Sequence, residues 1–421
     1  MFELVDQGIT YLSSQSLASL FHLFWFVILF EVPRYTLSFL SVIATGAAWK
    51  RMSHRKPHIG RVSVVVAGHN EQDSIERCVL SLHDQSQPPD EIIAVSDGST
   101  DRMAQKLYEL QERGLIQEAH VLQMRGGKSA GVNLSAGRAT GDIVVNVDCD
   151  CTYDRHALRE ICRPFVDPRV GGVAGNILVR NERTSLIATF QAIEYMISIS
   201  QGKQAANLTD QMTCVSGAFG AFRRSALMQV GGLDSGGGED LDVTLKLRTR
   251  DWRTVFAEDA ICYTDVPDTL SALTRQRFRW ERDAIRLRYR KHRAFLNPFS
   301  TRFSVSELLH ELDFFTFNVV AAAAFPVYLV WLFVTYGDMA PVILVGAQVG
   351  MLVLDTFTFL LAASVAPKAH AARLAPFIVG YSLLYGFYMR FVRLAAYVQE
   401  WVFRASYEDT YVPRKVHLER K

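Results

Sequence analysis

Residues 144–154 read VVNVDCDCTYD, an apolar run that stops at two carboxylates one residue apart, Asp148 and Asp150. Alternate residues of an extended strand point to the same side. Both carboxylates therefore converge at the strand's C-terminal edge, where open α/β sheets bind ligands and where a hard divalent cation, Mg²⁺ or Mn²⁺, finds oxygen donors. Cys149 and Cys151 alternate with them and belong on the opposite, packed side. Acidic pairs of this spacing are common, so the meaning of this one rests on its surroundings.

Upstream, residues 61–67 (RVSVVVA) read as a strand followed by Gly68-His69-Asn70-Glu71. A helical pattern over residues 74–83 precedes a second strand, 91–95, which ends in Ser96-Asp97-Gly98-Ser99-Thr100-Asp101. A helix over 102–113 and a short strand near 120–123 follow; Gly126-Gly127-Lys128 then opens a helix through 136, and the strand 142–147 delivers Asp148. Strands that are apolar on both faces and alternate with helices predict a parallel α/β sheet with right-handed crossovers. In such a sheet the strand C-termini share one edge, which gathers Asn70, Glu71, Asp97, Lys128, Asp148 and Asp150.

That set points to a nucleoside diphosphate. Glu71 and Asp97 suit the hydroxyls and imide N–H of a nucleoside. Lys128, beside two glycines at a helix start, suits the diphosphate through its charge and free backbone N–H groups. Asp97-Gly98-Ser99 is also a common turn and helix cap, and Gly126-Gly127 equally a tight turn.

The 421 residues are 49% hydrophobic and 21% charged, with a formal charge of +2, and no nucleic-acid partner is expected. The average hides segregation. Residues 17–49, 312–336, 340–366 and 374–403 are apolar, each reaching the roughly 20 residues a membrane-crossing helix needs. A basic collar (Lys50, Arg51, His54, Arg55, Lys56) follows the first stretch and places the central domain on the cytoplasmic side. Lys368, His370 and Arg373 mark a second cytoplasmic connection. A third full crossing at 374–403 puts the basic tail (Arg414, Lys415, Arg420, Lys421) outside, against the same rule, unless that segment turns back within the membrane. Arg390 and Arg393 in it either face a polar cavity or snorkel from a helix end. The six cysteines contain no C-x-x-C pair and read as free thiols rather than a zinc site.

Downstream lie Gly231-Gly232-Leu233-Asp234, Gly237-Gly238-Glu239-Asp240-Leu241-Asp242 and Gln276-Arg277-Phe278-Arg279-Trp280. With Asn70-Glu71, Asp97-Gly98-Ser99, Gly127-Lys128 with Asn133, and Asp148-Cys149-Asp150, these motifs resemble the family 2 glycosyltransferases, in particular the processive membrane polysaccharide synthases that make cellulose, hyaluronan, chitin and poly-N-acetylglucosamine. The likeness spans roughly residues 15–400. It implies a cytoplasmic GT-A domain, a Rossmann-like mixed sheet, flanked by transmembrane and amphipathic interface helices. The corresponding regions are 1–59 (membrane), 60–265 (GT-A domain), 266–310 (interface helices), 311–404 (membrane channel) and 405–421 (tail). It also implies inverting transfer from a UDP-sugar to the end of a growing polysaccharide, in a bacterial inner membrane, with room for a small membrane accessory subunit.

The roles make chemical sense. Inverting transfer needs one carboxylate to deprotonate the acceptor hydroxyl; Asp240 is the candidate, with Glu239 next and holding the loop. Asn70, Glu71, Asp97, Lys128, Asn133, Asp148 and Arg279 are assigned to the nucleotide sugar, and Asp148 and Asp150 to the metal. Gln276, Trp280 and Ser216 are assigned to the acceptor, Trp280 as a stacking face. Phe190, Glu194 and Tyr195 fit an acceptor-channel helix by resemblance and core packing equally. Three departures stand out: Ser96 replaces the first of the family's aspartate pair, Gly238 replaces the threonine of T-E-D, and Glu281-Arg282-Asp283 is unusually charged. Only a short tail follows residue 403, so no cyclic-dinucleotide-binding module is expected there. A non-processive transferase acting on a lipid is the competing enzyme reading, and a transporter or scaffold the non-enzymatic one.

Overall fold

The computed structural model describes residues 6, 10–37, 40, 60–208, 212, 214–234, 236–300, 303–366 and 370–408. Eight strands form one sheet: β1 (Val62–Gly68), β2 (Glu91–Asp97), β3 (Glu118–Leu122), β4 (Ile143–Asp148), β5 (Thr152–Tyr153), β6 (Val170–Val179), β7 (Phe219–Arg223) and β8 (Arg253–Thr264). Their spatial order is β3-β2-β1-β4-β7-β6-β8-β5. The first four are parallel, as the alternating pattern predicts. Alternation along them feeds two cores. Val62, Val64 and Val66 of β1 face one cluster with Ile143, Val145 and Val147 of β4. Val65, Ala67 and Val144 face the other, with Val132 and Ala136 from the helix Lys128–Arg138. Burial on both faces is why these strands read as unbroken apolar runs.

The second half makes the sheet mixed. β7 runs antiparallel to both β4 and β6, while β8 is parallel to β6. The direction of β7 matters for the site, because the segment entering it arrives where β4 ends. Asp148 N–H donates to the Ala218 carbonyl at 3.2 Å, and Ser216-Gly217 are thereby carried to the edge that holds the acidic pair.

On the membrane side, one helical run among the described residues, Val305–Val365, is long and apolar enough to cross a membrane. It breaks at Gly337 (φ 52°), between the helices Ala321–Tyr336 and Ala340–Val365. Leu17–Leu23 and Val27–Leu37, within the apolar stretch 17–49, meet the same test only as a pair bent by 83°. The segment over 374–403 is not among the helices that meet it, and it carries Arg390, Arg393 and Glu400. Neither arginine snorkels. Arg390 pairs with the buried Glu31 at 2.5 Å and lies over Phe26 and Phe325. Arg393 pairs with Glu281 at 3.0 Å, and Glu281 also accepts from Tyr397 at 2.6 Å. Part of the charge in Glu281-Arg282-Asp283 is thus consumed internally. The basic collar, Lys368 and the basic tail lie outside the described residues.

The helix Leu270–Arg286 locks the catalytic-side helix Glu239–Arg248 in place. Arg286 donates to the Gly237 carbonyl at 2.5 Å and pairs with Asp283 at 2.9 Å. Just beyond, Lys291 and His292 both meet Asp242 at 2.7 Å. Asp242 is almost fully buried. Burial pushes its carboxyl up, but the His292 hydrogen bond and the Lys291 charge overcome that and hold it at about 2. A carboxyl held below its ordinary 3.8 stabilises the fold above that value, and the contribution disappears as pH falls through about 2. Asp242→Asn is therefore expected to cost about 2 kcal/mol at neutral pH, since it removes the buried carboxylate on which Lys291 and His292 converge, Lys291 keeping only Asp234. Thermal denaturation should show the gap between wild type and variant closing as pH falls from about 4 toward 2; a gap independent of pH contradicts the assignment.

Candidate active site

The site is built on loops that hydrogen-bond one another across the sheet edge. Asn70 adopts a left-handed conformation (φ 61°). Its carboxamide oxygen accepts from Thr100 N–H at 2.8 Å, and its own N–H donates to Ser99 Oγ at 3.1 Å. Ser96, the departure from the aspartate pair, donates to Ser99 Oγ at 2.9 Å. Asp97 is buried, and its two oxygens accept from the N–H groups of Gly126 and Gly127 at 2.6 and 2.7 Å. Gly98 (φ 60°) lies so close to this loop that a Cβ there would sit 2.3 Å from Arg125 N. Glu71 accepts from Ser74 Oγ at 2.5 Å and lines the resulting cleft of about 220 Å³ with His69, Asp97, Arg125, Lys128, Asp148 and Asp150.

Lys128 joins this cleft to the catalytic loop. Its ammonium lies 2.5 Å from Asp148 Oδ1, 3.7 Å from Glu239 Oε1 and 3.2 Å from the Gly217 carbonyl oxygen. A Cβ on Gly217 would meet Lys128, Glu239 and Asp240 at once, which places that glycine at the centre of the group. Asp240 is oriented by two backbone donors, Gly217 N–H at 3.2 Å and Leu241 N–H at 2.8 Å. Burial pushes the Glu239 carboxyl up to about 7; Lys128 opposes the shift and Asp240 adds to it. Gly238, where the family carries threonine, has φ +68°, and a Cβ there would lie 2.8 Å from Leu287. The left-handed backbone is what favours glycine here, since it strains any residue with a side chain; the Leu287 side chain would also have to give way.

Four residues assigned from sequence to substrate make hydrogen bonds within the protein itself. Asn133 donates to the Leu233 carbonyl at 2.7 Å and accepts from Leu233 N–H at 2.9 Å, pinning Gly231-Gly232-Leu233-Asp234 beneath the site. Ser216 is buried, and its hydroxyl accepts from the buried ammonium of Lys203. Asp97 lines the cleft with both oxygens held by Gly126 and Gly127, and Asn70 beside it bonds to Ser99 and Thr100. Gln276, half-buried, has an amide oxygen without a hydrogen-bond partner among the described residues. Arg279 is half-buried one turn along the same helix, and Trp280 is 42% exposed. Arg125 and Lys203 were missed by sequence reasoning. For Arg125 a signal existed, its position directly before Gly126-Gly127-Lys128.

Among the described residues, no group of three or more His, Cys, Asp or Glu side chains is placed to hold a metal ion. The pair Asp148 and Asp150 nevertheless fits a divalent cation that takes its remaining ligands from a diphosphate and water. Burial and the neighbouring Asp148 charge push the Asp150 carboxyl up to about 6, against the opposing pull of Lys128.

The family described as glycosyltransferase like family 2 matches residues 58–282, which is more than half of the chain. The chain belongs to that family. Among curated proteins, the poly-β-1,6-N-acetyl-D-glucosamine synthase of Staphylococcus aureus (strain MSSA476) is 33% identical over 221 residues, covering 52% of this chain and 53% of the relative. The synthase of the same name from Staphylococcus epidermidis is 31% identical over the same length. The chain thus matches about half the length of these relatives. Among solved structures, a mannosyltransferase from Pyrobaculum calidifontis in complex with GDP-Man and Mn²⁺ aligns with a TM-score of 0.54 at 19% identity, over 88% of this chain and 99% of that one. That likeness establishes a shared glycosyltransferase fold. The family 2 domain therefore sits on a mixed α/β sheet of that kind.

Asn133→Ala should cost about 1–2 kcal/mol of stability, because it frees both backbone groups of Leu233. Thermal unfolding checks this; an Asn133→Ala protein that keeps its melting temperature contradicts the pinning role.

Proposed function

We propose that this protein is a processive, inverting β-glycosyltransferase that adds sugars from a UDP-sugar to a growing exopolysaccharide and conducts the chain across the membrane. The observation that carries the reading is the meeting of Lys128, Asp148, Glu239 and Asp240 around Gly217. A donor-phosphate cation and a candidate base on neighbouring loops are what displacement at an anomeric carbon requires. The curated relatives are named for a β-1,6-linked N-acetylglucosamine polymer, which favours UDP-N-acetylglucosamine over UDP-glucose as donor.

In this mechanism Asp240, aimed by the Gly217 and Leu241 N–H groups, takes the proton of the acceptor hydroxyl. The acceptor oxygen bonds to the anomeric carbon as the bond to the UDP oxygen breaks on the opposite face. UDP leaves with that electron pair. Lys128 and Arg279 balance the charge that develops on the diphosphate. A Mg²⁺ or Mn²⁺ held by Asp148 and Asp150 supplies further neutralisation of the same diphosphate when bound. Glu239 holds the loop, its carboxyl raised by burial.

Placement in a bacterial inner membrane, with the catalytic domain cytoplasmic, is supported by the Val305–Val365 run and the kinked pair before it. Buried charges such as Glu31 and Arg390 suit a polar path between these helices.

Full-length protein in nanodiscs, supplied with Mn²⁺ and radiolabelled UDP-sugars, is expected to make high-molecular-weight product from one donor. Asp240→Asn should lower output by about 10²–10⁴-fold while UDP still binds. Undiminished polymer from Asp240→Asn contradicts the base assignment. Single-sugar lipid products from the wild type contradict processivity.

A further inference from the structure

Arg277 lies inside Q-x-x-R-W at a position the motif leaves open, yet it is the most enclosed cation of the helix, with only 4% of its surface exposed. Its guanidinium carbon lies 4.4 Å from the centroid of the Trp280 ring, one helical turn ahead. It also lies 5.9 Å from the Tyr195 ring centroid. Arg277 Nη2 pairs with Glu194 Oε2 at 2.5 Å, and the same oxygen accepts from Tyr385 hydroxyl at 2.7 Å. Tyr385 in turn stacks on Tyr381 and packs against Phe190.

These contacts form one chain of interactions. Tyr385, on the membrane side, fixes Glu194; Glu194 fixes Arg277; Arg277 covers one face of Trp280. A planar guanidinium held this way restrains the indole's rotation and leaves the 42% of Trp280 that remains exposed as a surface of defined orientation. Packing alone does not explain a buried ion pair here, because an apolar pair of similar volume serves a core as well or better.

We propose that Arg277 is a positioning residue that presents the free face of Trp280 to the acceptor sugar, and that Glu194 and Tyr385 tie this surface to the membrane-side helices through which the chain departs. The inference rests on the reading of the protein as a polymerising transferase. Its consequence is specific: loosening Arg277 weakens the hold on the acceptor end between additions and leaves the transfer step itself nearly unchanged.

The test uses full-length protein in nanodiscs with the variants Arg277→Gln, Arg277→Lys and Tyr385→Phe, each with and without Trp280→Phe so that the Trp280 emission is obtained by difference. The probe is a β-1,6-linked N-acetylglucosamine oligosaccharide. Arg277→Gln is expected to raise the acceptor KM about tenfold with kcat within about twofold, to shorten the product, and to shift Trp280 emission. Tyr385→Phe should move the same quantities in the same direction. Arg277→Lys should recover part of the effect, since it keeps the charge but not the planar fork. Unchanged KM and emission in Arg277→Gln overturn the proposal, as does a loss confined to kcat. If the wild type makes no polymer, the transferase reading fails; quenching of wild-type Trp280 by the oligosaccharide, weakened in Arg277→Gln, still supports the positioning role, and its absence overturns it.

Discussion

Lys128 is the interaction on which the rest of the site depends. Asp148, Asp150, Glu239 and Asp240 come from two distant parts of the chain and gather at one sheet edge. Left alone, four carboxylates in a partly buried space repel one another strongly. Lys128 contacts Asp148 and Glu239 from between them, and its third partner is the Gly217 carbonyl. Burial, ahead of the neighbouring charges, pushes the Asp150 and Glu239 carboxyls up.

The frame that permits this gathering is mechanical. β7 runs against β4, so the chain entering β7 passes the end of β4 and delivers Gly217. The helix Leu270–Arg286 then clamps the glycine-rich loop before Glu239 through Arg286 and Asp283, and Asp242 closes the clamp with Lys291 and His292. One helix thereby holds the loop before Glu239 and also carries Trp280.

The parallel half of the sheet was legible to within one or two residues, because strands buried on both faces and helices opened by Gly126-Gly127 carry strong local patterns. The convergence of Lys128, Asp148, Glu239 and Asp240 was legible too, through motif order and the edge rule for open sheets. What escaped were side chains whose partners lie far away in sequence. Asn133 looks like a ligand contact but serves Leu233, a hundred residues on. Ser216 answers to Lys203, and Glu194 to Arg277 and Tyr385. The departure at Gly238 has a local reason: its left-handed backbone (φ +68°) favours glycine. On the membrane side, hydropathy marked apolar stretches but not the bend near residue 24 or the internal pairing of Arg390 and Arg393.

The most direct test of the whole account is a structure of the protein with UDP and Mn²⁺, read by anomalous scattering. The account predicts manganese between Asp148 and Asp150, the diphosphate against it, and the Lys128 ammonium moved off Asp148 onto a phosphate oxygen. UDP bound elsewhere, or manganese absent from the pair while Lys128 still contacts Asp148, contradicts it.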